Sequence, residues 1–483
     1  MSDKTAFIST AIPYVNARPH IGFAMECVQT DCYARYLRLI GHDTFSLTGS
    51  DENSLKNVRA AEEEGISTRE LCDRNTQMFY DLMDSLNMDM TDFIRTSSDR
   101  HIQGAQKLWS MCREEDIYKQ HYSGWYCVGC EDFYMDKDCP DKKCPDHQTD
   151  LELVEEDNYF FKLSNYQDKI LELIESNTLR IVPNTKRNEI LAFIKQEGGL
   201  MDFSISRSRK RAGDWGIPVP GDEDQVMYVW YDALANYITA LDLENNGENF
   251  QKYWTNCDRR IHMIGKGINR FHSIYWPAML MSAGIELPHE VFVHGYLTIN
   301  GQKISKSLGN VIDPVIQVEK YGTDPIRYYL LRAVSPFEDG DYSEQRFAEV
   351  YNADLANNLG NLARRVETMG SKALHVPKNL PVGDAPEGYH EAMNDYRFHD
   401  ALATLWRVAS DLNTRIEEVK PWVLAKEDKH DEVVAFLDEM IAGLRLIGHY
   451  LVPFLPQTAQ NLANIFVADK PMEKGEALFM RLP

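Results

Sequence analysis

The chain has 483 residues, 43% of them hydrophobic, and a formal net charge of -23. That length exceeds what one hydrophobic core serves, so two or three domains are expected, and the acidity excludes a protein that coats nucleic acid nonspecifically, though not a locally basic groove. No apolar run approaches the roughly 20 residues that span a bilayer, the opening "MSDKTAFISTAIPYVNARPHIG" lacks the order of a signal peptide, and the nine cysteines are scattered apart from one cluster, so a cytoplasmic protein in a reducing compartment is expected.

In chain order, Thr5 to Tyr14 reads as a buried strand and Gly22 to Leu39 as a helix with apolar residues at helical spacing. "HDTFSLTGSD" follows as a second strand. Strand, helix and strand in this order open a doubly wound α/β domain. Its ligands bind at the carboxyl ends of strands, which places the loops at Pro13 to Phe23 and Thr48 to Asn53 at a site. From Tyr118 to Asp157 the pattern breaks into short pieces rich in Cys, Asp and Lys, as in an inserted subdomain. Strand-like segments return at "QVMYVWYDAL", "RIHMIGKG" and "HEVFVHGYLTI", so the nucleotide fold reads as split by the insertion. After Asp354 nearly everything is amphipathic helix, interrupted by the linker "VPKNLPVGDAPEG", and the last third is expected to be a helical bundle.

Three constellations carry chemistry. Cys127 and Cys130 in "CVGC", then Cys144 and His147 in "CPDH", are two knuckles that can close a tetrahedral zinc site. Four protein ligands leave no open position, so the zinc would be structural; surface thiols without metal are the plainer alternative, and Cys139 has no partner at knuckle spacing. In "PYVNARPHIGFAMECVQTD" a strand ends, a turn carries His20 and Gly22, and a helix begins, so backbone N–H groups and the helix dipole can face an anion. Alone, a capping or core histidine explains it as well. Far downstream, "NGQKISKSLGNVIDP" supplies Lys303, Ser305, Lys306 and Ser307, flanked by Gly301 and Gly309 as hinges, which suits a triphosphate and its leaving pyrophosphate. No Walker-type loop is present. Arg207, Arg209, Lys210 and Arg211 crowd together in "SRSRKRAG", which reads equally as a basic groove or a solvated loop.

"PHIGF" and "KISKS", in this order on a split nucleotide fold, resemble the HIGH and KMSKS signatures of the class I aminoacyl-tRNA synthetases, and more specifically the methionyl-tRNA synthetases. The resemblance runs through "AIPYVNARPHIG", the zinc knuckles, "DFSISRSR", "VWYDALANY", "HMIGKGINRFHSIYWPAML", "VHGYLTINGQKISKSLGN", "YGTDPIRYYLLR", "NNLGNLARR" and "KPWVLAK". It implies a Rossmann-like catalytic domain at 1–115 and 223–297, a zinc-bearing connective insertion at 116–222, a stem-contact region at 298–350 and an α-helical anticodon-binding domain at 351–483. It implies that Ile12, Tyr14, Trp230, Ala233, Leu234, Tyr237, Ile268, Phe271 and His272 enclose a methionine side chain and that Asp51 pairs with its ammonium group. ATP, bound with magnesium, would meet His20, Gly22, Phe23, Lys303, Ser305 and Lys306; His20 and Lys306 would act on the phosphates, Lys303 would assist, and Arg207 matches an active-site arginine. Asn361, Arg365, Pro421 and Trp422 match anticodon-reading positions, and since the chain ends directly after the bundle a monomer is expected.

The implied function is ATP-dependent formation of methionyl-adenylate and transfer of methionine to the 3' end of its tRNA. Departures from the pattern are Phe23 for the second histidine of HIGH, Asn53 and Ser54 in "DENS" where "DEHG" is usual, Gly267 where an acidic residue is common, and Ile304 in "KISKS". Two other readings stay open: a noncatalytic paralogue that holds tRNA or adenylate, and a class I ligase for another apolar amino acid.

Overall fold

The computed structural model describes residues 4–129, 131–134, 139–145, 148–304 and 309–483. They form two compact units: a sheet-centred one comprising residues 1–19, 41–81 and 89–294, and a helix-rich one comprising 20–40, 82–88 and 295–483.

The sheet-centred unit is built on six parallel strands in the order Asp92–Arg95, Asp43–Ser50, Thr5–Ser9, Arg259–Gly265, Glu290–His294, Arg180–Val182. "TAFIS" and "EVFVH" are buried at every position, the near-continuous apolar character a parallel sheet covered on both faces demands. Register sets Phe7 beside Phe45, and the Phe7 ring meets Trp254 edge-on at 5.3 Å between centroids, inside a core shared with Leu47, Ile94, Ile264 and Val293. One strand of this sheet, Arg180–Val182, lies within the stretch expected to be inserted; its partner is Glu290–His294. Antiparallel pairs also form in and beside that stretch, Ile117–Cys127 against Glu152–Phe161 and Ser206–Ser208 against Asp222–Met227, alongside the helices Gln167–Glu175 and Asn184–Ile194.

"QVMYVWYDAL" is only half a strand. Pairing stops at Met227, and Val229–Thr239 is a helix buried on nearly all sides. A helix that is apolar all round has no period-2 alternation, and in a short run its signal merges with that of a buried strand. Gly104 lets the helix Asp99–Met111 cross it closely, since an added Cβ would meet Thr239 Cγ2 at 2.5 Å.

In the helix-rich unit, Ile21–Leu39 is tied to the later helix Thr323–Arg332 by one buried ion pair. Arg327 donates to Asp31 at 2.7 Å, both side chains being fully buried, and its other N–H groups reach the carbonyls of Phe454, Leu86 and Pro453. A small sheet pairs Leu297–Ile299 with Gln302–Lys303 and with Gly340–Tyr342. A continuous helical run from Glu344 to Lys372 then precedes the irregular proline-rich linker and the helices Phe398–Val419, Pro421–Lys426, His430–Leu451 and Pro456–Ile465. No helix among the described residues is long and apolar enough to cross a membrane.

Candidate active site

At the carboxyl end of the strand Asp43–Ser50 the chain continues into Asp51, which forms an isolated parallel bridge with Tyr14 and whose N–H donates to Pro13 O at 2.8 Å. Gly49 is needed just before it: a Cβ there would come within 2.2 Å of Ile94 O and 2.9 Å of Ile12 Cγ2. Asp51 is 2% exposed, and its Oδ1 has no hydrogen-bond partner. Burial, with Asp232 and Glu131 nearby, holds its carboxyl well above the usual carboxylate range. The Tyr14 hydroxyl and Trp230 Nε1 are likewise buried and unpartnered. A buried polar atom without a partner costs about 1–3 kcal/mol, so neighbouring ones such as those of Asp51 and Tyr14 are groups whose missing bonds a ligand could supply.

A packed aromatic cluster lies in the same unit. Trp230, Ala233, Leu234 and Tyr237 come from the helix Val229–Thr239. Ile268 ends a short turn after the strand Arg259–Gly265, and Phe271 and His272 sit on the wide helical turn Phe271–Tyr275. The Trp230 and Phe271 rings stack face to face, 3.8 Å between centroids and 9° apart in plane. His272 Nδ1 lies 3.0 Å from Ile268 O, which can only accept, so Nδ1 carries the proton. Its Nε2 therefore accepts from the Tyr237 hydroxyl at 2.6 Å. Burial lowers the His272 pKa to about 4, so the ring is neutral. This floor offers neither charge nor spare ring proton, which suits an apolar, polarisable side chain and penalises a charged one.

Arg207, expected as an active-site arginine, is buried, paired with Glu131 at 2.8 Å and packed over the rings of Tyr228 and Tyr126. Glu131 carries no signal in the sequence, because an acidic residue after a cysteine turn gives no sign that it will be buried. Asn53 and Ser54, the departures in "DENS", both make specific contacts: Asn53 Nδ2 donates to Thr96 O and to Asp232 Oδ2, at 3.0 and 2.9 Å, and Ser54 caps the helix Leu55–Glu64. Asp232 also faces His101 Nε2 at 3.0 Å. An acid inside the apolar run "VWYDAL" is the legible signal for this buried polar pair.

In the helix-rich unit the two signatures, distant in sequence, are neighbours. His20 is the N-cap of Ile21–Leu39, and its Nδ1 accepts from Gly22 N–H at 3.1 Å. The residue is exposed, and the protein around its ring still lowers the pKa through desolvation. With Nδ1 accepting, a neutral ring carries its proton on Nε2 as a donor. A Cβ on Gly22 would press on the His20 ring at 3.0 Å and meet Ile304 Cδ1 at 3.6 Å, and Ile21 N–H donates to Ile312 O at 3.1 Å. Phe23, half-buried, continues the first turn with its N–H on His20 O. The loop is anchored at its start by the strand Gln302–Lys303 and at its end by Asp313, which caps the helix Pro314–Tyr321. Gly301 and Gly309 both have positive φ, 75° and 64°, as turns at its two ends require. Ser305, Lys306 and Ser307, and the Lys303 side chain, lie outside the described residues.

Cys127 and Cys144 pack together in one small buried cluster, joined by Leu151 and by Cys139, the thiol without a partner at knuckle spacing. Cys130 and His147 lie outside the described residues, and no group of three or more potential ligands disposed for a metal occurs among the described ones. Clustered buried thiols are nevertheless soft donors of the kind zinc takes.

On the bundle, Trp422 is 44% exposed beside buried Pro421, at the edge of a groove of about 510 Å³ lined also by Lys372, Leu374 and His430. Asn361 is exposed at the start of Asn361–Lys372, and Arg365 is held by Glu417 at 2.6 Å. Neither lines that groove.

The family model for tRNA synthetases class I (M) matches residues 6–152 and 141–367. A methionine–tRNA ligase of Brucella melitensis is 44% identical over 99% of this chain and 94% of its own length. One from Thermotoga maritima is 40% identical over 97% of this chain and 76% of its own. Among solved structures, Mycobacterium tuberculosis methionyl-tRNA synthetase in complex with methionyl-adenylate superposes with a TM-score of 0.90 at 36% identity, covering 99% of this chain and 100% of that one.

Proposed function

The chain belongs to the methionyl class I aminoacyl-tRNA synthetases and with them ligates methionine to tRNA, and from that premise we propose how its residues divide the work. The observation that carries the reading is Asp51: a buried carboxylate oxygen without a partner, in the unit that also holds an uncharged aromatic pocket. An α-ammonium supplies the missing donor, and the polarisable thioether fills the space walled by Ile12, Tyr14, Trp230, Ala233, Leu234, Tyr237, Ile268, Phe271 and His272.

The methionine carboxylate oxygen attacks the α-phosphorus of ATP. The bond to the bridging oxygen of pyrophosphate breaks, leaving methionyl-adenylate. The terminal ribose hydroxyl of tRNA then attacks the adenylate carbonyl, loses its proton, and expels AMP. No protein nucleophile is needed; positioning and charge stabilisation carry the reaction. His20 Nε2–H donates to phosphate oxygen, and the backbone at Gly22 admits the nucleotide. Lys303, Ser305 and Lys306 neutralise the phosphates, with magnesium bound to ATP. Phe23 has no donor, so His20 carries this role alone. Arg207, held by Glu131, orders the walls of the site.

Cys127, Cys130, Cys144 and His147 would hold a structural zinc in the connective insertion, which would supply a fold-closing link and no chemical step. Trp422 stacks on an anticodon base while Asn361, Arg365 and Pro421 shape that surface, in keeping with an exposed tryptophan beside a groove. The partition into catalytic, connective, stem-contact and anticodon parts belongs to the same reading, with the strand Arg180–Val182 assigned to the catalytic sheet, as does a cytoplasmic monomer.

The test is amino-acid-dependent ATP–pyrophosphate exchange with all standard amino acids. Exchange with methionine alone is expected. Exchange with another amino acid overturns the pocket assignment, and none from folded protein favours a noncatalytic paralogue.

A further inference from the structure

Resting on the methionine reading, we propose that Glu131 is a positioning residue for methionine, binding together the segments that wall its pocket. Glu131 immediately follows Cys130 in sequence, is fully buried, and adopts φ 53°, a left-handed conformation that a non-glycine residue keeps only where its surroundings enforce it.

Its contacts reach four elements. Oε1 accepts from Leu55 N–H at 2.8 Å, the first amide of the helix Leu55–Glu64, which would otherwise be one of the unpaired donors of a helix start. That helix holds Asp51 from behind, because Asn57 Nδ2 donates to Asp51 O at 3.0 Å. Oε2 accepts from Arg207 and from the Tyr126 hydroxyl. The Glu131 carbonyl accepts from the hydroxyl of Tyr228, the residue that precedes the helix carrying Trp230, Ala233, Leu234 and Tyr237. One residue therefore fixes both the segment that presents Asp51 and the start of the helix that forms the aromatic wall. Glu131 touches no reacting atom; it acts through those two elements.

The experiment compares the full-length chain with Glu131→Gln and Tyr228→Phe. Glutamine keeps an acceptor for Leu55 N–H and loses the anion facing Arg207; phenylalanine keeps the ring over Arg207 and loses only the bond to the Glu131 carbonyl. In methionine-dependent exchange, the methionine KM rises about tenfold in the first and about threefold in the second, the scale of one weakened charge-assisted and one lost neutral hydrogen bond. The ATP KM and kcat stay within about twofold, since neither element touches the phosphates. Amide hydrogen exchange read in parallel shows lost protection confined to residues 51–58 and 228–237. An unchanged methionine KM with unchanged protection overturns the proposal, as does a parallel fall of kcat and both affinities with uniform loss of protection, which is what a merely structural residue gives. Wild-type protein that exchanges with no amino acid defeats the functional reading instead, while the protection pattern still decides whether Glu131 holds these two segments.

Discussion

The hydrogen bond from Tyr237 to His272 Nε2 exists only while the imidazole is neutral, and that neutrality has a measurable cost in acid. The native ring refuses a proton until about pH 4, whereas the unfolded chain takes it near 6.5, so stability falls as pH drops through that window. His272→Gln should remove roughly 3 kcal/mol of that acid-induced loss, at about 1.4 kcal/mol for each tenfold difference in proton affinity between the folded and unfolded chain, read from urea midpoints across the window. Asp51 moves the other way: burial first, then Asp232 and Glu131, raise its pKa. The ammonium of methionine favours the ionised form, so methionine affinity should weaken as pH falls through that raised pKa. Asp51→Asn should raise the methionine KM by about tenfold or more, the loss of a charge-assisted bond, and flatten its pH dependence; a wild-type KM that is independent of pH would count against the ammonium role. Both residues are candidates from the sequence pattern. That Arg207 spends its charge on Glu131 is not legible there, since the partner has no periodicity or motif of its own.

Between elements, the decisive contacts are few and buried. Arg327 joins Asp31 of Ile21–Leu39 to the carbonyls of Phe454, Leu86 and Pro453, so one guanidinium satisfies acceptors from three separate chain segments. Arg327→Leu removes one cation from Asp31, which keeps its pair with Arg35. Breaking a buried pair in this way costs about 3–5 kcal/mol, and the loss should appear in urea unfolding followed by far-ultraviolet circular dichroism. A change below about 1 kcal/mol, the worth of an ordinary exposed pair, would mean that Arg35 and water replace it. Helix and strand existence is legible where periodicity is long, as in Ile21–Leu39, and fails where it is short: the buried helix beginning at Val229 reads as strand because a short apolar run fits both.

For the whole molecule, the proposed reading assigns activation and tRNA recognition to residues far apart in sequence. Trp422→Ala should lower kcat/KM for charging of tRNA by about tenfold to a hundredfold, the worth of one base–aromatic stack, while methionine-dependent exchange stays close to wild type. Equal loss of both activities would remove Trp422 from tRNA reading. Its 44% exposure makes this a clean substitution, because little core packing is lost with the ring.

The sequence by itself determined the family and the order of its blocks, because "PHIGF", "KISKS" and the cysteine spacings are local patterns whose chemistry requires those residues in that order. The residues proposed to wall the methionine pocket came from that family resemblance and not from periodicity, since a buried aromatic helix face reads equally as core packing. Only the tertiary structure decided that Ile304 lies against the turn at Gly22, that the strand Arg180–Val182 joins the parallel sheet, and that Glu131 is a buried anchor. Those facts depend on which distant segments meet, and burial of a charge is set by what surrounds it in space rather than by what precedes it in the chain.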